Sequence, residues 1–169
     1  KTLWKIVDLS YEKVKPEFIK AVLENDCENL NLRNTIIDGF IKLSKTSKLM
    51  CLNLDARYYS FSKAFFDEIL LSCCSLQKLV LRAPGHLLDT TLWQRIFSKN
   101  GQTLETLRFG WSYFGLSHNQ FGNMQSMTIV KLILDHCTKL QEINLECCDL
   151  SRDALSQLVS GLSPEMKKV

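Results

Sequence analysis

The chain has 169 residues, 46% of them apolar and 23% charged, with 21 Lys or Arg against 18 Asp or Glu for a net charge of +3. That length suits one domain or one section of a repeat array, and the near balance of charge argues against a partner held by phosphate neutralisation, so no nucleic acid is expected. Apolar runs such as Ile69-Leu70-Leu71 fall far short of the roughly 20 residues of a membrane span, so no membrane partner is expected either.

A spacing of the form apolar-x-x-apolar-x-apolar recurs along the chain. It begins at Trp4-Val7-Leu9 and returns at Cys27-Leu30-Leu32, Leu49-Leu52-Leu54, Leu76-Leu79-Leu81, Leu104-Leu107-Phe109 and Leu140-Ile143-Leu145. A seventh start lies at Met166 to Val169. First members are separated by 23, 22, 27, 28, 36 and 26 residues, a period of repeat architectures, and one unit is longer than the rest. Each motif predicts a short strand, because alternate side chains point to opposite faces.

Helical spacing follows the strand motifs, at Phe65/Ile69/Cys73, Leu92/Ile96, Ile129/Ile133/Cys137 and Leu155/Val159. Ser62, Asp89, Ser126 and Ser151 stand where an N-cap would accept from an unpaired helical N–H. Strand and helix are therefore expected to alternate throughout, giving an α/β fold. One such unit cannot bury its own apolar edge, so the units should stack into a curved solenoid with parallel strands on the concave side and helices outside.

Cys137-Thr-Lys-Leu140-Gln-Glu-Ile143-Asn-Leu145-Glu-Cys147-Cys-Asp-Leu150 to Leu155 resembles the cysteine-containing leucine-rich repeats of F-box proteins, and Cys73 to Leu81 repeats its first half. Leu3 to Leu9 is similar to the junction at which an F-box hands over to its first repeat. The resemblance covers essentially the whole chain and implies about six repeats in a single domain, residues 1–169, as a section of a longer protein. An F-box would lie upstream and further repeats downstream. It also implies the substrate-recognition part of a cullin-RING ubiquitin ligase, whose adaptor would bind the F-box rather than this chain. The insertion of about 8 residues between Leu104 and Leu140 is not part of the family pattern. A leucine-rich scaffold or inhibitor unrelated to ubiquitin, and a small thiol enzyme, are the competing readings.

The residues between the apolar positions should face the concave surface. They are Ile6/Asp8/Ser10, Asn29/Asn31/Arg33, Cys51/Asn53/Asp55, Lys78/Val80/Arg82, Thr106/Arg108/Gly110 and Glu142/Asn144/Glu146. Lys78, Arg82 and Arg108 form a basic cluster suited to an acidic or phosphorylated peptide, bordered by Glu142 and Glu146. Asn31, Asn53 and Asn144 recur at one position, where their amides would stiffen the sheet by bonding to one another or to neighbouring strands. Trp111, Tyr113, Phe114, Leu116 and Phe121 crowd the long unit and make it a second candidate contact region. Tyr58, Tyr59 and Phe61 are expected to fill the space beneath a turn.

No constellation calls for chemistry. Seven cysteines, odd in number and including the adjacent pairs Cys73-Cys74 and Cys147-Cys148, match neither a secreted disulfide framework nor the paired spacing of a zinc site. A reducing compartment, cytoplasm or nucleus, is expected. Cys27 and Cys137 fall on core positions, whereas Cys51 should face the concave surface. His86, His118 and His136 lie in different units, and no glycine-rich phosphate loop occurs. The expectation is a non-catalytic protein-binding module with no cofactor, no metal and no small-molecule substrate.

Overall fold

The structure is a computed structural model that describes residues 4–55, 61–83, 89–111, 123–145, 148, 150–163 and 166–168. Six strands, β1 (Ile6–Asp8), β3 (Asn29–Asn31), β5 (Cys51–Asp55), β6 (Lys78–Ala83), β7 (Thr106–Trp111) and β8 (Glu142–Asn144), form one parallel sheet in chain order. Their register puts Val7, Leu30, Leu52, Leu79, Leu107 and Ile143 in one row across the sheet. These are the middle members of the six sequence motifs, so the recurrence in the chain becomes a single apolar row in space. Lys168 extends the ladder by a bridge to Glu142, at the seventh motif start.

Helices α1 (Pro16–Glu24), α2 (Lys63–Ser72), α3 (Thr90–Asn100), α4 (Asn123–His136) and α5 (Arg152–Gly161) connect the strands. Their apolar sides join the strand rows in one core, where Leu79, Leu81, Phe65, Phe66, Ile69 and Leu70 are fully buried. Trp93 of α3 carries the contact to the sheet. Its indole stacks on Phe97 at 5.2 Å and meets Phe109 of β7 edge-on at 4.7 Å. Ser62, Asp89 and Ser151 cap α2, α3 and α5 as expected, each accepting from the backbone N–H three residues on. Phe61 is buried and stacks on Phe65, while Tyr58 and Tyr59 lie outside the described residues.

The structure departs from the expected pattern in four places. Strand and helix do not alternate throughout, because no helix lies between β3 and β5. There β4 (Ile36–Ile37) pairs with β2 (Lys13–Val14) as a small parallel ribbon, and Ile37 and Ile41 supply the buried apolar groups that a helix would. The rest of that connection is fixed from its flanks: Glu24 of α1 accepts from Ser44, and Glu68 of α2 accepts from the Leu43 N–H. Gly39 adopts φ 128°, a value open to glycine, with Pro16 Cγ 3.0 Å from where a Cβ would stand.

Second, Ser126 stands inside α4 and not at the position before it. Helix α4 begins at Asn123, which leaves Ser126 buried inside its first turns. Third, the buried side of α5 is Ala154 and Leu158, while Leu155 and Val159 are 49% and 61% exposed. The i, i+4 spacing was right for a helix but picked the adjacent stripe, since both stripes are apolar. Fourth, Asp55 stands on the outward side of β5 and is nevertheless buried.

Cys27, Cys73 and Cys137 lie in the core. Burial pushes the Cys73 thiol up to about 11 and the Cys137 thiol up to about 12, from an ordinary value of 9.0. The unfolded chain therefore ionises these thiols first, so between about pH 9 and 11 unfolding releases protons and stability falls as pH rises, by about 1.4 kcal/mol per pH unit for each thiol. Thermal melts across that range should show a shallower fall for a double Cys73→Ala, Cys137→Ala variant than for the parent. Equal slopes would contradict this account.

Candidate protein-binding face

The face of the sheet opposite the core forms a groove of about 510 Å³. Its floor is the set of residues that alternate with the apolar rows, from Ile6 and Asp8 on β1 to Arg108 on β7. Ile6 is 75% exposed at one end. Asp8 accepts from the Ser10 N–H and from Asn31 Nδ2, and the Ser10 contacts hold its carboxyl below the usual range.

The centre of the groove is built around Asp55. The ladder sets Asp55 beside Arg82, and Arg33 comes in from the β3 side. Arg33 Nε lies 3.6 Å and Arg82 Nη1 3.9 Å from Asp55 Oδ2. The two guanidinium groups approach the buried carboxylate from strands on either side of β5 and offset its charge. Arg33 is itself held over the ring of Tyr11, 5.8 Å from its centroid. On the next strands Arg108 grips Glu142, with Nε at 2.9 Å and Nη2 at 2.7 Å from Oε1.

The predicted basic cluster is thus present but largely compensated by the protein's own carboxylates. Arg82 shares Asp55 and Arg108 holds Glu142, whereas Lys78 is exposed and makes no ion pair with any described residue. Asn144 takes its place opposite Arg108. Only part of the amide row forms: Asn31 bonds to Asp8, but Asn53 Oδ1 is buried without a partner. Tyr113, Phe114, Leu116, Phe121 and Glu146 lie outside the described residues, as do His86 and His118, and Trp111 is placed only through its backbone at the end of β7.

Cys51 opens onto the groove, as expected. Burial raises its thiol, against the opposing pull of the Lys78 charge. That direction is opposite to the lowered value of an activated nucleophile. Among the described residues no group of three or more His, Cys, Asp or Glu is placed to hold a metal ion, and no helix is long and apolar enough to cross a membrane.

No family model and no curated protein matches the chain. Arg33 and Asp55 are the residues that sequence reasoning undervalued. Both occupy outward positions of the motif, but the signal that joins them to Arg82 is a strand register, which has no local mark in the chain.

Proposed function

We propose that the chain is a leucine-rich-repeat solenoid that holds a protein substrate on its open sheet face, as the recognition section of an F-box subunit in a cullin-RING ubiquitin ligase. The observation that carries this reading is the register of β1, β3, β5, β6, β7 and β8, which stacks the repeated apolar motif in chain order and leaves a wide polar face that no described element covers. The likeness of Cys137 to Leu155 to F-box leucine-rich repeats supplies the ligase part of the reading.

On this view the module does no covalent chemistry. It holds the substrate where ubiquitin transfer becomes effectively intramolecular, and the F-box that reaches the adaptor belongs to the parent protein. Lys78, Arg82, Arg108, Glu142 and Asn144 form the described part of the proposed contact face, and the sequence pattern adds Trp111, Tyr113, Phe114 and Glu146 to it. The cytoplasm and nucleus, where such ligases act, are its expected compartments.

Affinity purification of the tagged full-length gene product from cells, followed by mass spectrometry, tests the proposal. Cullin and its adaptor should be recovered together with the protein. Their absence, with other proteins still bound, would overturn the ligase reading and leave a binding scaffold.

A further inference from the structure

The charge arrangement around Val80 narrows what the groove can hold. Val80 is half-buried on the outward side of β6, with Lys78 two residues before it and Arg82 two residues after it. The register places Asn53 beside it on one flank and Arg108 on the other. Ladder spacing puts Lys78 and Arg82 each about 7 Å along the strand from Val80, and Arg108 about 5 Å across. Three long cationic side chains therefore ring a small apolar floor.

Their charges are unequal in availability. Arg33, Lys78, Arg82 and Arg108 line the groove, and Asp8, Asp55 and Glu142 lie on or beside it. Four cations thus face three carboxylates among the described residues, and Lys78 is the cation that no described carboxylate meets. One negative charge completes the set. A second would stand close to the buried Asp55 carboxylate, with no further cation among the described groove-lining residues to offset it.

We infer that the Val80 seat takes a single carboxylate side chain, an aspartate or glutamate, from an extended segment of a partner protein, with Lys78 as its charge partner and the side-chain methylenes resting on Val80. The inference rests on the protein-binding reading of this face and adds the chemistry of the residue recognised. It also separates the seat from a phosphate site: a dianion exceeds the charge that the described residues leave available.

The test uses the whole chain and a phage-displayed library of random linear peptides of about 12 residues, selected in parallel on the parent chain and on Lys78→Met, which keeps the stem and removes the charge. The parent should enrich peptides that share one Asp or Glu at a fixed position, and Lys78→Met should lose that preference. For a synthetic leading peptide, changing the acidic residue to its amide should weaken binding to the parent by about two- to fivefold and leave binding to Lys78→Met unchanged. Phosphoserine at that position should bind no tighter than glutamate. Enriched peptides without an acidic position, equal binding of the amide, or tighter binding of phosphoserine would each overturn the inference while leaving a protein-binding face in place. Recovery of no peptide from either chain would overturn the binding reading and this inference together.

Discussion

Replacing Asn100 with leucine should lower the unfolding free energy by about 3–5 kcal/mol, among the largest single effects in this protein. Asn100 ends α3 with its side chain fully buried. Its Oδ1 accepts from the Leu76 N–H at 3.0 Å, and its Nδ2 donates to the carbonyls of Cys73 at 3.2 Å and Ile96 at 3.0 Å. One amide therefore satisfies backbone groups that enter β6 from the preceding unit. Thr103, just beyond it, adds a hydroxyl donated to the Leu76 carbonyl at 2.8 Å. Leucine fills the same volume but strands a buried donor and a buried acceptor in an apolar core. For a chain of this length the midpoint should fall by about 8–15 °C in a thermal melt followed by circular dichroism. A loss below about 1 kcal/mol would mean that water or a local shift replaces the amide.

Trp93→Ala should cost a similar amount, about 3–5 kcal/mol, but for a different reason. The indole is 1% exposed and fills the space between α3 and β7, so truncation leaves a cavity among Phe97, Phe109 and the apolar rows. Its Nε1 is buried without a hydrogen-bond partner. Phenylalanine at position 93 should therefore cost less than about 1.5 kcal/mol, since only volume and no hydrogen bond is lost. Denaturant melts of both variants separate the two terms. A Trp93→Phe loss as large as that of Trp93→Ala would show that the indole N–H is bonded after all.

These two residues mark the limits of legibility in the chain. Leu92/Ile96 spacing predicted α3, but the flanking Trp93, Phe97 and Asn100 carry its closest packing and its buried polar link. An amphipathic period locates a helix and its apolar side; it does not say which member meets the sheet edge-on. The same limit misplaced the buried stripe of α5, where Ala154 and Leu158 lie inside and Leu155 and Val159 outside. The helix-free connection from Asn34 to Met50 gave no warning in its spacing either, because its tie points, Glu24 and Glu68, sit in the units before and after it.

Most of the sheet was determined by the sequence alone. The apolar-x-x-apolar-x-apolar motif sets both the strand positions and their mutual register, since a slip of one residue would turn every Leu of a row toward water and every Asn or Arg toward the core. It also assigned Cys27 and Cys137 to the interior and Cys51 to the groove. The electrostatics of that groove were decided only by the tertiary structure. Arg33, Asp55 and Arg82 come from separate repeats and meet because the strands stack in register. Composition could count the charges on the face, but which cation remains available depends on distances between strands, and those exist only once the units have packed.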